Sequence, residues 1–375
     1  MKTHSGFLLA ILCSFAWITA NATVRTVSNN ASNPAQFTTF AAAQTASVNG
    51  DTIYILGSPF QYPAISITKR LVIIGAGYGP NNQFGQPTFI TSCDLFRDTG
   101  PNNPSNSVIT GILTNSISMS GTVATNNVRL FRNRIIGSIT LTNPGYADGW
   151  IIFNNIIGTV NGGAGGRTTS SATNVVFANN IFTSGLALNG FNSNTILVDH
   201  NLFLSANSLY YVFNIIVTNN LFTRSSGTLF YDQVVLCTFN NNLTNQNTIG
   251  AAAAYSPTNS FTATFLTAPG GANSGGGNIV GSDPLFVSAS NFDTYTTTFN
   301  YRLQAGSPGR NAGTDLTDLG IYGGTYPFPS GGVAGSGYDT SPMPPIPQVT
   351  SVNIQNATIQ PNGTLNVQVQ GRVNN

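Results

Sequence analysis

The sequence predicts an all-β protein in which short strands coil into a parallel solenoid with rungs of about 22 residues. Three observations favour this fold class: a strand-like segment recurs, glutamate is absent, and only 6% of the residues are charged. Solvated helix faces usually carry Glu and Lys, so their scarcity argues against a helical protein. The 40 glycines and the abundant Asn, Thr and Ser are typical of turns and strands.

The recurring segment is aligned on one asparagine. Its five copies are VRLFRNRI, WIIFNNII, VVFANNIF, ILVDHNLF and IIVTNNLF, aligned on Asn133, Asn155, Asn180, Asn201 and Asn220. Apolar residues stand five and three positions before the asparagine and two positions after it, which indicates two strands joined by a bend. A repeat of this length predicts stacked coils. We interpret the aligned asparagine as the left-handed corner of each rung, with its side chain hydrogen-bonded along the column.

The elements before the repeats predict export and a capped solenoid. Residues 1–22 have a cationic start, an apolar run and small residues at the end, typical of a secretory signal peptide. Residues 23–50 form a predicted N-terminal cap, with a short helix within 33–46 that covers the open end of the solenoid. The β-helix is predicted over 51–325. No stretch of the exported chain is apolar and long enough to predict a membrane span.

The elements after the repeats predict a separate appendage. Residues 326–348 are rich in Pro and Gly and predict a linker, and residues 349–375 alternate around Pro361-Asn362-Gly363, which predicts a β-hairpin. Cys93 and Cys237 lie in apolar, strand-like runs 144 residues apart. Export permits a disulfide, but two buried free thiols are the preferred interpretation.

The chain resembles a known superfamily at its ends and in its repeats. The segments GDTIYI, ISITKRLVIIGAG and YRLQAGSPGRNAGTDLTDLGIYGG, with the NN rungs between them, resemble the right-handed parallel β-helix proteins of the pectin lyase-like superfamily. They are most similar to its secreted bacterial members whose role is not established. The resemblance covers roughly residues 35–325 and implies a right-handed coil. Members with known activity include polysaccharide lyases, glycoside hydrolases, pectin esterases, adhesins and phage tailspikes, but no family catalytic residue can be placed here.

Asp199 and His200 are the only acid and imidazole in the repeat core. They are the first candidates for catalysis, with Asp232 as a second carboxylate that a loop could bring near. Inverting hydrolysis needs two carboxylates roughly 6.5–9.5 Å apart, and no second aspartate lies on an adjacent rung at a matching position. The alternative interpretation is a surface pair at a turn.

Two further charged groups are candidates for binding. Arg129, Arg132 and Arg134 form either a patch for an acidic glycan or a solvated surface. A second group, near the end of the repeats, comprises Asp283, Asp315 and Asp318. These aspartates suit a cation such as Ca²⁺, or they close a turn.

Two apolar stripes are predicted to face outward. The position four before the asparagine is Arg129, Ile151, Val176, Leu197 and Ile216, and the position one after it is Arg134, Ile156, Ile181, Leu202 and Leu221. Large exposed apolar patches indicate a partner. Alternatively, a loop such as 159–172 or the C-terminal segment covers them, or the assignment is off by one residue.

The expected function is extracellular glycan binding or surface adhesion without catalysis. A polysaccharide lyase or glycoside hydrolase with a loop-borne site, and a structural envelope or matrix protein, are the alternatives. The expected partner is an extracellular polysaccharide or a cell-surface glycan. A net charge of +2 gives no reason to expect nucleic acid. No cofactor is expected, apart from Ca²⁺ as an option, and the oligomeric state stays open.

Overall fold

The protein is a parallel β-solenoid of about eight turns, which confirms the predicted fold class. The computed structural model describes residues 22–78, 86–141, 147–162, 172–189, 191, 193–226, 229–246, 248–250, 253–254, 273–290, 292–328, 347–355, 358 and 360–373. In the described part the only helix is α1 (Phe40–Ala46).

The strands, in chain order, are β1 (Val24–Val27), β2 (Thr52–Ile55), β3 (Ile65–Ile67), β4 (Val72–Gly75), β5 (Phe89–Arg97), β6 (Val108–Thr110), β7 (Leu113–Gly121), β8 (Arg129–Phe131), β9 (Arg134–Leu141), β10 (Ile151–Phe153), β11 (Ile156–Gly162), β12 (Val176–Ala178), β13 (Ile181–Phe182), β14 (Leu186–Ala187), β15 (Leu197–Asp199), β16 (Leu202–Phe203), β17 (Leu209–Phe213), β18 (Ile216–Thr218), β19 (Leu221–Phe222), β20 (Phe230–Val235), β21 (Thr238–Asn240), β22 (Leu243–Thr244), β23 (Thr248–Gly250), β24 (Ala253–Ala254), β25 (Ile279–Val280), β26 (Phe286–Ser288), β27 (Asn300–Leu303), β28 (Pro347–Ile354) and β29 (Val367–Val373).

Two stacked parallel sheets form the walls of the solenoid. The first sheet has the order β1-β2-β4-β6-β8-β10-β12-β15-β18-β21, and the second runs from β3 through β5, β7, β9, β11, β13, β16, β19 and β22 to β25. The strands β14, β17 and β20 extend the second sheet beyond a bend. Successive rungs pair in register, so that Ile152 stands between Leu130 and Phe177. The repeat therefore produces columns of identical positions.

The interior is filled by the inward apolar columns. Phe182, Phe203 and Phe222 stack with ring centroids 4.6 and 4.7 Å apart, and all three are fully buried. Fully burying such a side chain contributes about 1.5–3 kcal/mol relative to exposure. Cys93 and Cys237 are buried free thiols in this interior, and burial raises the pKa of each to about 12.

The aligned asparagines form a buried ladder along the solenoid. In this ladder the Nδ2 of Asn155 donates to Leu130 O (2.9 Å) and to Asn180 Oδ1 (3.0 Å), and the same Asn180 oxygen accepts from the Asn155 backbone N–H. The ladder extends past the five predicted copies and comprises Asn133, Asn155, Asn180, Asn201, Asn220, Asn242 and Asn278. Each rung therefore satisfies backbone groups of its neighbours in the core.

The prediction that the ladder asparagine is itself the left-handed corner is wrong. Positive φ falls one residue earlier, at the positions that we call the corner column: Arg132, Asn154, Asn179, His200, Asn219 and Asn241. The left-handed residue breaks the strand alternation. The next side chain, the ladder asparagine, then enters the core.

The first rungs carry a short helical cap. The helix α1 begins after Thr39, whose hydroxyl accepts from the Ala42 N–H at 3.3 Å. Its buried residues Phe40 and Ala43 belong to the interior cluster, and the helix contacts β1, β2 and β3. The helix is shorter than the predicted segment 33–46.

The chain leaves the stack after β25, well before the predicted end of the solenoid at residue 325. We call residues 283–290 and 292–328 the strap, because they run along the outside of the second sheet. Strap residues such as Phe286, Leu303 and Ile321 pack with the outward stripe that follows the ladder, which is Ile156, Ile181, Leu202 and Leu221. All four stripe residues are buried. This stripe faces outward as predicted, but the strap covers it.

The other outward stripe and the chain end differ from this covered surface. Arg129 is exposed and Ile151, Val176, Leu197 and Ile216 are half-buried. At the chain end, β28 and β29 form an antiparallel hairpin in which Val352 pairs with Val369 and both side chains are exposed. Most of the predicted linker, 329–346, lies outside the described residues.

Candidate functional site

His200 lies beneath the strap and contacts three polar side chains. Its Nδ1 is 2.9 Å from Asp199 Oδ1, and its Nε2 is 3.1 Å from Thr317 Oγ1 and 3.6 Å from Asp315 Oδ1. The order carboxylate, imidazole, hydroxyl matches that of a nucleophilic triad. The sequence suggested Asp199 and His200 as a pair, but the strap supplies the other two groups.

The strap closes this cluster against any substrate. His200 is 1% exposed. A Cβ built on Gly323 would lie 2.8 Å from His200 Cδ2, and one built on Gly324 would lie 2.7 Å from Nδ1, so the strap backbone rests directly on the ring. The contact between Nδ1 and Asp199 has an ion-pair distance but not the geometry of a hydrogen bond. These features suit an anchor for the strap better than a reacting site.

Thr317 is already engaged in closing a turn of the strap. Its hydroxyl donates to Asp315 Oδ1 at 2.7 Å and accepts from the Gly324 N–H at 2.8 Å. Burial alone would raise the pKa of the Asp315 carboxyl. The hydrogen bonds from Thr317 and the nearby His200 outweigh burial and hold that pKa below its ordinary value.

The corner column continues this anchoring on other rungs. Asn219 exchanges two hydrogen bonds with Thr314, at 3.0 and 2.8 Å, and also donates to Asp199 Oδ1. Asn179 donates to Gly323 O at 2.7 Å, and Asn241 to Ala312 O at 2.8 Å. His200 is thus one of several corner residues that bind the strap.

The three arginines lie on different parts of one rung. Arg129 is exposed on the first sheet, with Cζ 5.8 Å from the Phe153 ring centroid. Arg132 has the left-handed backbone of the corner column. Arg134 begins β9 of the second sheet, with Cζ 5.5 Å from the Tyr295 ring centroid. The bend between the two sheets therefore separates residues that are close in sequence.

The remaining aspartate candidates have separate local contacts. Asp283 accepts from the Leu285 N–H at 2.8 Å, and Asp318 accepts from the Asn311 N–H at 3.0 Å and pairs with Arg310 at 3.2 Å. Asp232 lies in β20, and its side chain is outside the described part of the chain. Among the described residues, no three His, Cys, Asp or Glu side chains are grouped to hold a metal ion.

An open site lies elsewhere, where bulges interrupt the second sheet. In β9 the two residues Ile136 and Gly137 face one residue on each neighbouring strand, Asn115 of β7 and Gly158 of β11. In β20 two residues, 232 and 233, likewise face Tyr211 of β17. A Cβ on Gly158 would lie 2.2 Å from Gly137 O, and one on Gly137 would lie 2.7 Å from Asn115 O. The two glycines therefore let the backbones of three rungs approach closely at the bulge of β9, and a bulge bends a sheet.

The bent sheet carries three adjoining depressions, which together we call the bulge groove. One depression of about 270 Å³ is lined by Arg134, Ile136, Thr183, Asp293, Thr294 and Tyr295. The next, of about 410 Å³, is lined by Ile136, Gly137, Ser138, Thr159, Asn161 and Ser184. The third, of about 280 Å³, is lined by Ser184, Ala206, Asn207, Tyr210 and Tyr211. Ile136 and Ser184 are each shared by two depressions, so the groove is continuous.

Two tyrosines stand at one end of the bulge groove, and one of them has an unusual backbone conformation. Tyr211 has φ of 52°, which is rare and costly for a bulky side chain. The rings of Tyr210 and Tyr211 meet edge to face with centroids 6.0 Å apart. Bulges often re-aim side chains beside functional sites. This backbone strain indicates that the position of the Tyr211 ring matters.

Asp293 is the acidic residue in the described lining of the groove. Its carboxylate accepts from Ser225 N (2.8 Å) and Ser225 Oγ (2.6 Å), and lies 3.5 Å from Arg224. Burial alone would raise its pKa, but the hydrogen bonds from Ser225 and the charge of Arg224 lower it below the ordinary value. The groove therefore holds one ionised carboxylate.

The bulge groove is the feature that sequence reasoning missed. The signal was the repeated Ile-Ile-Gly-Ser/Thr at 135–138 and 156–159, which places a glycine in the bulge of β9 and another opposite it in β11. The contribution of Tyr295 and Asp293 from the strap had no local signal, because the strap joins distant segments.

No known family model matches this chain, and no curated protein is significantly similar to it. The helix α1, the one helix of the described residues, is too short to cross a membrane.

Proposed function

We propose that this protein is an exported glycan-binding protein that acts in surface adhesion or matrix binding without catalysis. The observation that supports the proposal is the bulge groove, an open and continuous surface with hydroxyl, amide and tyrosine side chains. Export is part of the proposal and rests on the signal-like residues 1–22.

The groove composition suits a polyhydroxylated ligand. Sugar rings combine hydroxyl edges with C–H faces. The amide of Asn161 and the hydroxyl of Ser138 can donate and accept hydrogen bonds. The hydroxyls of Thr159 and Thr183 donate to Gly185 O and Ile157 O, and their oxygens can accept from a ligand. A tyrosine ring offers an apolar face with a polar tip, which suits the C–H face. The groove is open rather than enclosed, so a polymer can pass through it.

Two observations favour binding over hydrolysis. The arrangement of Asp199, His200 and Thr317 is sealed beneath the strap, so a polymer cannot reach its reacting atoms. The described lining of the groove holds one carboxylate, Asp293, whereas hydrolysis by either stereochemical route uses two.

The proposal also includes membership of the pectin lyase-like superfamily, which the chain resembles. It is supported by the parallel solenoid and by the segments 50–77 and 301–324. One fold of this kind hosts many activities, so the superfamily itself does not choose among them.

The proposal is tested with the full-length chain and a panel of immobilised plant, algal and bacterial polysaccharides. We expect saturable binding to at least one polymer and no change of polymer chain length on size-exclusion chromatography. The variant Ser184→Trp fills the groove between two depressions and is expected to abolish binding. The matched control Ser32→Trp, on an exposed turn near the N-terminus, is expected to bind as the wild type does.

Two results would contradict the proposal. Shortened polymer would make the protein an enzyme. Absence of binding to every polymer would favour a structural role in an envelope or matrix.

A further inference from the structure

We propose that the bulge groove selects an uncharged polysaccharide, which lies along the solenoid axis. This inference rests on the proposed function and specifies the substrate class of the same site. It follows from the charges that line the groove, from its direction across the rungs, and from the two tyrosines at its end.

The charges of the groove oppose recognition of a polyanion. Arg134 and Asp293 line the same depression, and each already has a partner within the protein: Arg134 lies against the Tyr295 ring and Asp293 pairs with Arg224 at 3.5 Å. The other two depressions are lined by uncharged side chains in their described residues. A polyanionic glycan repeats its charge along the chain and would need repeated cations, each paired closely enough to escape screening by salt. A neutral polymer needs none.

Arg134 packs within the protein, a role that does not require an acidic ligand. Its guanidinium lies 5.5 Å from the ring centroid of Tyr295, within the range of a cation–π contact. That contact holds Tyr295 of the strap against β9. The arginine therefore builds one wall of the groove and fixes the strap there.

The direction of the groove follows from its order along the chain. The lining residues come from β9, from β11, from the turn after β13 and from β17, which are four successive rungs. Three spacings between strands amount to about 14 Å. This length accommodates a short run of linked sugars, so the polymer crosses the rungs and runs parallel to the solenoid axis.

The neutral end of the groove supplies the contacts that an uncharged sugar can use. Tyr210 and Tyr211 present two rings at an angle, and Asn207 adds an amide beside them. Amides and phenols can donate and accept hydrogen bonds without a charge. We assign Tyr210 and Tyr211 as the residues that determine specificity, because the strained backbone of Tyr211 aims its ring at this end.

The test uses matched pairs of polymers that differ only in charge. Neutral glucans, galactans and mannans are each paired with the derivative in which primary hydroxyls have been oxidised to carboxylates. Binding of the full-length chain is measured by isothermal titration calorimetry at low and at high salt. We expect the neutral member of a pair to bind at least about tenfold more tightly. We also expect its affinity to change by less than about twofold with salt.

An acid-to-amide variant sharpens the test. Asp293→Asn removes the one carboxylate in the described lining of the groove and leaves Arg224 without its carboxylate partner, so it is expected to raise the affinity for the oxidised polymer several-fold. Asp283→Asn, on an exposed turn of the same strap, is the matched control and is expected to change nothing.

The outcomes separate this inference from the proposed function. Tighter binding of the oxidised member, with an affinity that falls as salt rises, would overturn the inference and leave glycan binding intact. Absence of binding to every member of every pair would overturn the proposed function and this inference together.

Discussion

Two polar clusters on the same solenoid differ in a way that residue types alone do not reveal. The His200 cluster has the acid, imidazole and hydroxyl of a reactive site, yet the strap seals it. The bulge groove has serines, threonines and tyrosines that are common on any surface, yet it is open and continuous. The comparison teaches that accessibility and backbone geometry mark the binding site here, whereas the reactive side chains hold the fold together.

The difference has a physical origin in the two walls of the rung. The corner column points its side chains out at the bend, where the strap backbone supplies partners for them. At the bulge of β9, Gly137 and the facing Gly158 instead carry no side chain, because glycine is needed where backbones approach closely. The corner column therefore binds the strap, whereas the glycines leave a concave surface.

The largest expected effect comes from the ladder on which both regions depend. Asn180→Leu removes the acceptor of two Asn155 donors and the donor to Ile152 O. Several buried groups lose partners at about 1–3 kcal/mol each, so we expect a loss of about 5 kcal/mol in the free energy of unfolding. Urea unfolding measures it. Asn353→Leu in the exposed hairpin is the control, and equal losses in both variants would contradict the ladder account.

The next effect separates the His200 cluster from ligand binding. His200→Ala leaves a cavity and unpaired groups beneath the strap, and we expect about 3 kcal/mol less stability with unchanged glycan affinity. His200→Asn should recover part of that loss, because asparagine occupies most of the corner column. Thermal unfolding and calorimetry measure the two quantities. Lost binding in a folded His200→Ala protein would return this residue to the functional site.

A smaller effect is expected in the groove, where a substitution should lower the glycan affinity and not the stability. Tyr211→Gly removes a ring and also relieves a left-handed backbone that costs about 1 kcal/mol or more. We expect the glycan affinity to fall about tenfold while the melting temperature stays the same or rises. Phe60→Ala, at another exposed aromatic residue, controls for general loss of apolar surface. Unchanged affinity would remove Tyr211 from the proposed site.

The smallest effect is a dependence of strap stability on acid. The pKa of Asp315 in the folded protein is held below its ordinary value of 3.8 by Thr317 and His200, despite partial burial. Its contribution to stability is therefore present above about pH 4 and is lost as the pH falls through the folded pKa. In an acid titration followed by circular dichroism, Asp315→Asn should lose less stability than the wild type. An identical acid profile would contradict this role.

The solenoid could be predicted from sequence because each structural position recurs in several copies of the repeat. The apolar positions and the ladder asparagines are local signals with a fixed period. The assignment of the left-handed corner was one residue off, because both positions are often asparagine and the pair 154–155 gives no way to choose between them. The strap could not be assigned, since Phe286 and Ile321 look like further rungs until their contacts are known.

The most direct test of the central claim is hydrogen exchange of the full-length chain with and without a saturating polysaccharide. The account predicts new protection at 134–138, 156–161, 183–184 and 206–211, with exchange at 312–324 unchanged. Protection that appears at 312–324 and spares the groove would show that the ligand binds the His200 cluster, and would contradict the account.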